Sequence, residues 1–318
     1  MLKITIRKRT VFIFLALIGI LVYVNSFNVP FHYDDMSFLR EETSIKSWQL
    51  FSNWIVESYP RIITGRAFLL FTFYLNYVIN GLDTFGYHLV NLLIHVSTAF
   101  LFYLLLSRYV DRDVIARSGS DEAITFKDEI ATLRARNDNS GVAILAATLF
   151  LLHPINTESV TYISSRSSVL SAFFILASIL AFFRATTLSE KSHYPQHTKG
   201  GITKWSRLGF YILSIISFLL GLSTKEAAIV TPALILLFDL YFVSDKDKNF
   251  SSRIKYHFPF WLIIIASFFY YWGYIARPAM YDRPWTVHIL TELKVFVEYL
   301  KLLILPLNLN IDHHIKAS

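Results

Sequence analysis

Apolar residues occur in long blocks along this chain, separated by charged stretches, and this pattern predicts membrane-spanning helices. A block of about 15 to 20 apolar residues matches the length that crosses roughly 30 Å of hydrocarbon. Such blocks cover residues 11–27, 87–106, 141–155, 167–183, 208–222, 227–243 and 258–275, with an eighth near 293–309. We therefore predict an all-α, multi-pass integral membrane protein with about 7 to 8 transmembrane helices.

One apolar segment is too short to fit this series. Residues 67–79, AFLLFTFYLNYVI, are flanked by Arg66 and by Asp83. A run of about 13 apolar residues favours an interfacial or re-entrant helix over a membrane span. The stretch 28–86 is then one large first loop that contains helices of its own.

The distribution of basic residues supports this interpretation. If 67–79 does not cross the membrane, four basic segments fall on one side: the N-terminus and residues 107–140, 184–207 and 244–257. They hold most of the 30 Lys and Arg residues, so the positive-inside rule makes them cytoplasmic, with loop 107–140 among them. We predict a cytoplasmic N-terminus, a first extracytoplasmic loop at 28–86 and a single membrane domain over 1–318. The chain contains no 34-residue helical repeat.

Composition narrows the class further. The chain is 54% hydrophobic and 17% charged, with a mean hydropathy of +0.46, which excludes disordered and coiled-coil proteins and an ordinary soluble domain. The net charge of +7 is explained by membrane orientation, so we predict the lipid bilayer and no nucleic acid as partner. Because the chain lacks cysteine, catalysis would depend on carboxylates, His, Lys, Arg and hydroxyls.

The predicted outer face collects the ionisable residues. Such groups cost about 2.5 to 3.5 kcal/mol each at membrane depth, so a cluster of them suggests function. Asp34 and Asp35 follow the first span and could act as a general base and its electrostatic partner, or as a helix cap. The other candidate site residues on this face are Arg66, His88, His153, Glu158, Arg166, Lys225 and Glu226.

The cations among these residues would suit a phosphate or pyrophosphate. The alternatives are an ordinary polar turn at 153–166, hydrogen bonding between helices at His88, and a local Lys225–Glu226 ion pair. No residue spacing matches a metal-binding motif. We predict no cofactor, and nothing in the sequence supports the divalent metal that carboxylates could bind.

Several motifs in order resemble those of the transmembrane and tetratricopeptide-repeat O-mannosyltransferases, within the wider GT-C glycosyltransferase fold. They are the pair Asp34-Asp35, then GRAFLLFTFYLNYVINGLDTFGYHLVNLLIH, LLHPINTESVTYISSRSSVLSAFF, GLSTKEAA and YLKLLILPLNLNID. The resemblance runs from about residue 31 to residue 312. Ala67 stands where the family pattern has proline, and Thr224 extends the short SKE turn to STKE.

The resemblance implies a helical membrane glycosyltransferase that takes a sugar, with mannose expected, from a polyprenyl or dolichyl phosphate carrier. The acceptor would be a protein or glycan hydroxyl, with protein Ser or Thr expected, on the non-cytoplasmic face. Asp35 or Asp34 would be the catalytic base, and the other seven candidate residues would bind the substrate or the donor phosphate. By this resemblance the chain corresponds to the catalytic N-terminal half of the family.

Two other classes use the same residue types. A transporter or flippase of a lipid-linked or anionic solute would use the same cations without making a bond, but would be expected to show repeat symmetry and broken helices. A non-catalytic membrane partner is the second alternative. Dispensable Asp34 and Asp35 would favour it.

Overall fold

In a computed structural model of the chain, residues 7–41, 44–57, 66–117, 141–187, 204–242, 250–275, 284–307 and 309 can be described. Within these ranges all regular structure is helical. The α-helices are α1 (Lys8–Tyr23), α2 (Trp48–Glu57), α3 (Ala67–Asn80), α4 (Thr84–Arg117), α5 (Gly141–Leu152), α6 (Glu158–Thr161), α7 (Arg166–Thr187), α8 (Lys204–Leu222), α9 (Thr231–Phe242), α10 (Phe250–Ile275) and α11 (Trp285–Ile304). A π-helix at Met36–Glu41 and 3-10 turns at Val24–Asn28, Pro154–Asn156, Ile163–Ser165 and Glu226–Val230 connect them.

Four of the described helical segments are long and apolar enough to cross a membrane. They are Lys8–Asn28, Thr84–Ser107, Ile163–Thr186 and Trp205–Leu222. The helices Gly141–Leu152 and Pro154–Thr161 are bent by 53° relative to each other. They add a fifth segment if they form one broken span. The all-α, multi-pass class is therefore confirmed, whereas the count of 7 to 8 spans stays a prediction.

Proline explains where two of the predicted spans are interrupted. The block 141–155 ends as a helix at Leu152, because Pro154 forces His153 into an extended conformation (φ −62°, ψ 128°). The block 227–243 begins as a 3-10 turn, and α9 starts only at Thr231. Pro232 lies in the first turn of α9, where its missing N–H costs no helical hydrogen bond.

Helix α3 is as short as the sequence predicts. Its 14 residues span about 21 Å at 1.5 Å per residue, less than the thickness of a bilayer core. Gly81 ends it with a positive φ of 59°, and the Gly81 N–H donates to the Tyr77 carbonyl at 2.7 Å. The helix therefore turns back into α4 within a few residues.

The apolar side chains pack in three clusters. The first joins α1, α4 and α5 around Leu15, Leu92 and Leu151; the second joins α7, α8, α9 and α10 around Phe182 and Phe218. The third packs α2 and α3 against Tyr87 and Ile163. This third cluster places the segment between α1 and α4 against the start of α7, where most of the candidate site residues lie.

Candidate functional site

The Asp35 carboxylate joins two parts of the chain that are far apart in sequence. Its Oδ1 accepts hydrogen bonds from the backbone N–H of Ser164 (2.7 Å) and from the Ser164 hydroxyl (2.5 Å), across 129 residues. Its Oδ2 accepts from the backbone N–H of His32 at 3.3 Å. Asp35 is fully buried. Oδ1 therefore fixes the loop after α1 onto the turn before α7, and Oδ2 closes a turn within that loop.

Asp34 is in the opposite situation, because its side chain is exposed. Its backbone N–H donates to the Tyr162 hydroxyl at 3.3 Å. Burial raises the pKa of Tyr162 to about 12, and the negative charges of Asp34 and Asp35 also act on this phenol. The phenol thus stays protonated at neutral pH beside a solvent-accessible carboxylate. Of the two aspartates, Asp34 is the one that a soluble group can reach.

A group of cations lies on the turn between α8 and α9 and at the start of α3. The Lys225 ammonium donates to the Ser168 hydroxyl at 2.6 Å. Arg66 Nη2 lies 3.6 Å from Glu226 Oε2, and both side chains are partly exposed. The pKa of Lys225 is lowered, first by burial and then by the positive charge of Arg66, while Glu226 opposes this shift. These cations remain near the surface.

The backbone fixes the position of this cation group. The N–H of Phe68 lies 3.1 Å from both the carbonyl and the hydroxyl oxygen of Ser223, which ties the start of α3 to the α8–α9 turn. Arg66 adopts a left-handed backbone conformation (φ 58°), as does Tyr33 (φ 49°) directly before the aspartates. They are the two non-glycine residues with positive φ in the described ranges. Such backbone strain is often found at functional sites.

One turn of helix brings the carboxylates and the cations together. Ser164 binds Asp35 and Ser168 binds Lys225, and both serines belong to the helical segment Ile163–Thr186. Residues four apart on a helix share a face, with about 5 to 6 Å between their Cβ atoms. The start of α7 is therefore the element on which the acidic pair and the basic group converge.

Arg166 lies between these two serines but points into the protein. Its side chain is fully buried; Nε donates to Asn91 Oδ1 (2.7 Å), Nη1 to the Thr72 carbonyl (3.3 Å) and Nη2 to the Tyr87 carbonyl (3.1 Å). The guanidinium carbon also lies 4.5 Å from the centre of the Phe73 ring. Because its donors are used by protein acceptors, this geometry favours a positioning role over contact with a ligand.

His88 is likewise buried and bonded on both sides. Its Nδ1 lies 2.8 Å from the Val160 carbonyl and its Nε2 lies 2.9 Å from the Val29 carbonyl. It links α4 to the segment before the aspartates and to α6. Like Arg166, His88 holds neighbouring segments of the backbone in place from a buried position.

His153 and Glu158 lie on the connection from α5 to α7. His153 Nδ1 accepts from the backbone N–H of Ile155 (3.2 Å), and Nε2 lies 3.0 Å from the Leu303 carbonyl at the end of α11. Glu158 is the first residue of α6 and is half-buried. The contacts of His153 place it on α11, away from the aspartates.

Three polar residues of this site do not stand out in the sequence. Tyr162, Ser164 and Ser168 are bonded to the aspartates and to Lys225, yet the sequence offers only the run TYISSRSS as a signal. A dense group of hydroxyls between α6 and an apolar helix could have indicated the site. Within the described part of the chain, no group of three His, Cys, Asp or Glu residues is arranged to hold a metal ion.

Together, the helices and this polar face define an all-α, multi-pass membrane protein with an acidic and basic site at one end of its bundle. Comparison with known proteins shows which membrane proteins this chain is similar to. The chain is 25% identical over 245 residues to Protein O-mannosyl-transferase Tmtc3 of Drosophila melanogaster, which covers 74% of this chain and 25% of that protein. It is 26% identical over 258 residues to TMTC4 of Mus musculus, covering 76% of this chain and 30% of that protein.

A third relative is human TMTC1, 28% identical over 190 residues, or 59% of this chain and 18% of that protein. The similarity to O-mannosyl-transferases that the motifs suggested is thus confirmed. The chain spans only 18% to 30% of the length of these curated relatives. No family model and no solved structure matches it.

Proposed function

We propose that this chain is the membrane-embedded catalytic region of a glycosyltransferase that moves mannose from a polyprenyl or dolichyl phosphate carrier to a hydroxyl group, with protein Ser or Thr as the acceptor. The contacts at the start of α7 carry this proposal. Ser164 binds Asp35, whose neighbour Asp34 is exposed. Ser168 binds Lys225, whose pKa is lowered by burial and by the nearby charge of Arg66. The named O-mannosyl-transferase relatives support the reaction class. The cations support a donor that carries phosphate, and the polyprenyl carrier is what the family resemblance implies.

In the proposed reaction, Asp34 is the general base. Its carboxylate takes the proton of the acceptor hydroxyl while the acceptor oxygen attacks the anomeric carbon of the sugar. The bond between that carbon and the phosphate oxygen breaks, and the electron pair leaves with the polyprenyl phosphate. Attack from the face opposite the leaving group inverts the anomeric configuration.

Asp35 has a different role in this proposal, because its two oxygens already accept three hydrogen bonds. It positions Asp34 by fixing the loop against Ser164. Its buried negative charge also favours the protonated form of the Tyr162 phenol. That phenol can then orient the acceptor by hydrogen bonding.

Lys225 and Arg66 stabilise the leaving phosphate. As its bond to the sugar breaks, the phosphate gains negative charge, and cations held in place at that point lower the barrier. The lowered pKa of Lys225 shows that neighbouring positive charge and burial disfavour its ammonium form. The negative charge of an incoming phosphate would favour the ammonium form and offset both effects, so donor binding and the protonation of Lys225 reinforce each other.

The proposed orientation follows from the charge bias in the sequence. The N-terminus is cytoplasmic and the start of α7 faces the non-cytoplasmic side. A lipid-linked donor reaches the cations laterally from the bilayer, and the acceptor reaches Asp34 from the aqueous side. The donor phosphate would then lie at the membrane interface, at the level of Arg66.

The test is transfer of labelled mannose from polyprenyl phosphate mannose in membranes that contain the chain or its variants. Asp34→Asn removes the base and is expected to lower transfer by at least about 100-fold, since general base catalysis contributes this much or more. The matched control is Asp83→Asn, because Asp83 is exposed on the same loop and accepts from the Phe85 N–H at the start of α4, a cap that asparagine also provides.

Full transfer by Asp34→Asn would refute the assignment of the base. Donor binding by the unaltered chain without transfer or release of the sugar would contradict the proposal as a whole. That second result would favour a transporter of a lipid-linked solute.

A further inference from the structure

A second site candidate lies at the opposite end of α7 from the aspartates. A cavity of about 460 Å³ opens there between the end of α7, the start of α8 and α10. Its walls are mainly apolar and aromatic, with Thr186, Leu208, Tyr211 and Tyr256 among the lining residues. The Tyr211 hydroxyl donates to the Tyr256 carbonyl at 2.9 Å, so α8 and α10 are bonded to each other along this wall.

Among the described residues that line the cavity, Arg207 is the one with a charged side chain, and none is acidic. The Nε of Arg207 is buried and has no hydrogen-bond partner in the described part of the chain. A buried donor without an acceptor is energetically unfavourable, and more so when it carries charge. An acceptor that enters the cavity would therefore gain a hydrogen bond from the Arg207 guanidinium, which lines it.

Further positive charge surrounds the opening. Arg184 precedes the lining residue Ala185, and Lys255 precedes the lining residue Tyr256; both side chains are exposed. The nearby carboxylate of Asp239 is already paired with Arg253 and His257. The local field at the cavity thus favours an anion.

The cavity also lies at the end of the predicted membrane spans, where the hydrocarbon core meets the headgroups. Trp205, which lines it, is 80% exposed and begins the apolar span Trp205–Leu222, a position typical of tryptophan at a membrane interface. About 28 Å of helix α7 separates Arg166 from Ala185, close to the thickness of the hydrocarbon core. The cavity and the aspartates are thus at opposite membrane interfaces.

From these observations we propose that the cavity binds the phosphate headgroup of an anionic membrane lipid, with Arg207 as its hydrogen-bond donor. Basic pockets between transmembrane helices on the cytoplasmic side are a known means of binding such headgroups. The apolar walls accommodate the first part of the acyl chains, which a free phosphate ion lacks. The site is separate from the proposed transferase site and does not depend on it.

The experiment is native mass spectrometry of the purified full chain in neutral detergent, with phosphatidylglycerol or phosphatidylcholine of identical acyl chains added. Melting temperatures with the same lipids provide a second readout. The variants are Arg207→Gln and Arg207→Lys, and the control is Lys301→Gln. Lys301 is exposed and pairs with Glu298 on α11, so the control removes an equal charge elsewhere.

We expect the unaltered chain and the Lys301 control to retain phosphatidylglycerol and to be stabilised by it. Arg207→Gln is expected to weaken retention by about tenfold or more, which is the loss of one charge-assisted hydrogen bond. Arg207→Lys, which keeps the charge, is expected to lose less. A normal melting temperature without lipid identifies a variant that still folds.

Three results would overturn the proposal. Equal retention of phosphatidylcholine would mean that the cavity holds acyl chains alone. Unchanged retention of phosphatidylglycerol by Arg207→Gln would exclude Arg207. Equal stabilisation by inorganic phosphate, with displacement of the lipid, would identify a site for the free ion instead.

Discussion

The buried guanidinium of Arg166 offers the sharpest test of how the candidate site is built. Its three hydrogen bonds connect α7 to the Asn91 side chain and to the carbonyls of Thr72 and Tyr87. Arg166→Lys keeps the positive charge but replaces a planar group with five donors by a shorter-reaching ammonium. A lysine at this position cannot reach all three of these residues, so we expect about two of the buried acceptors to lose their donor.

The expected cost follows from these contacts. Hydrogen bonds to a charged group contribute about 1.5 to 3 kcal/mol each, so the loss of two lowers stability by about 3 to 6 kcal/mol. A large domain loses roughly 2 °C of melting temperature per kcal/mol, which predicts a decrease of roughly 6 to 12 °C. Sugar transfer would fall as well, because Ser164 and Ser168 on the same turn would shift.

The assay is thermal unfolding in detergent, with binding of the lipid-linked donor measured below the transition. Arg184→Lys is the matched control, since Arg184 lies on the same helix but is exposed over the Phe210 ring. It is expected to change stability by less than about 0.5 kcal/mol. If Arg166→Lys melted normally yet lost donor binding, Arg166 would contact the ligand directly, and the positioning role argued from its burial would be wrong.

Three further predictions concern single bonds. Ser164→Ala removes one of the two Ser164 donors to Asp35 and should lower both sugar transfer and melting temperature, whereas normal values of both would remove this contact from the argument. Because the pKa of Lys225 is lowered, Lys225 should lose its proton, and the protein its binding of the donor phosphate, at a lower pH than an ordinary lysine would allow. Lys225→Arg should still bind the donor at that pH. Identical binding of the donor by the two proteins across the alkaline range would contradict this prediction. Tyr23→Phe removes the buried hydrogen bond to the Leu151 carbonyl (3.0 Å) and should cost about 1 kcal/mol in thermal unfolding without changing transfer.

The sequence was sufficient for the class of fold. Apolar block length is a local property, and it predicted an all-α, multi-pass membrane protein and the short helix at 67–79, while Pro154 predicted the helix end before it. It did not resolve how the block 227–243 would begin, because the 3-10 turn at Glu226–Val230 depends on packing against α7 and α8 as well as on Pro232.

The different surroundings of the two aspartates depend on tertiary structure. Asp34 and Asp35 are adjacent and chemically identical, so local sequence cannot distinguish them. The partner that buries Asp35 is Ser164, 129 residues away, and only the packing of the first loop against α7 brings it there. The same packing leaves the Asp34 side chain exposed.

The surroundings of the cations depend on tertiary structure in the same way. Arg66, Arg166 and Lys225 are equivalent candidates for a phosphate when judged by charge and predicted side of the membrane. In the fold, Arg166 is enclosed by α3 and α4 and satisfied by their acceptors, whereas Arg66 and Lys225 stay at the surface. Residue type determines which chemistry is available, but burial and bonding partners decide which residue can perform it, because an enclosed and satisfied donor has nothing left to offer a ligand.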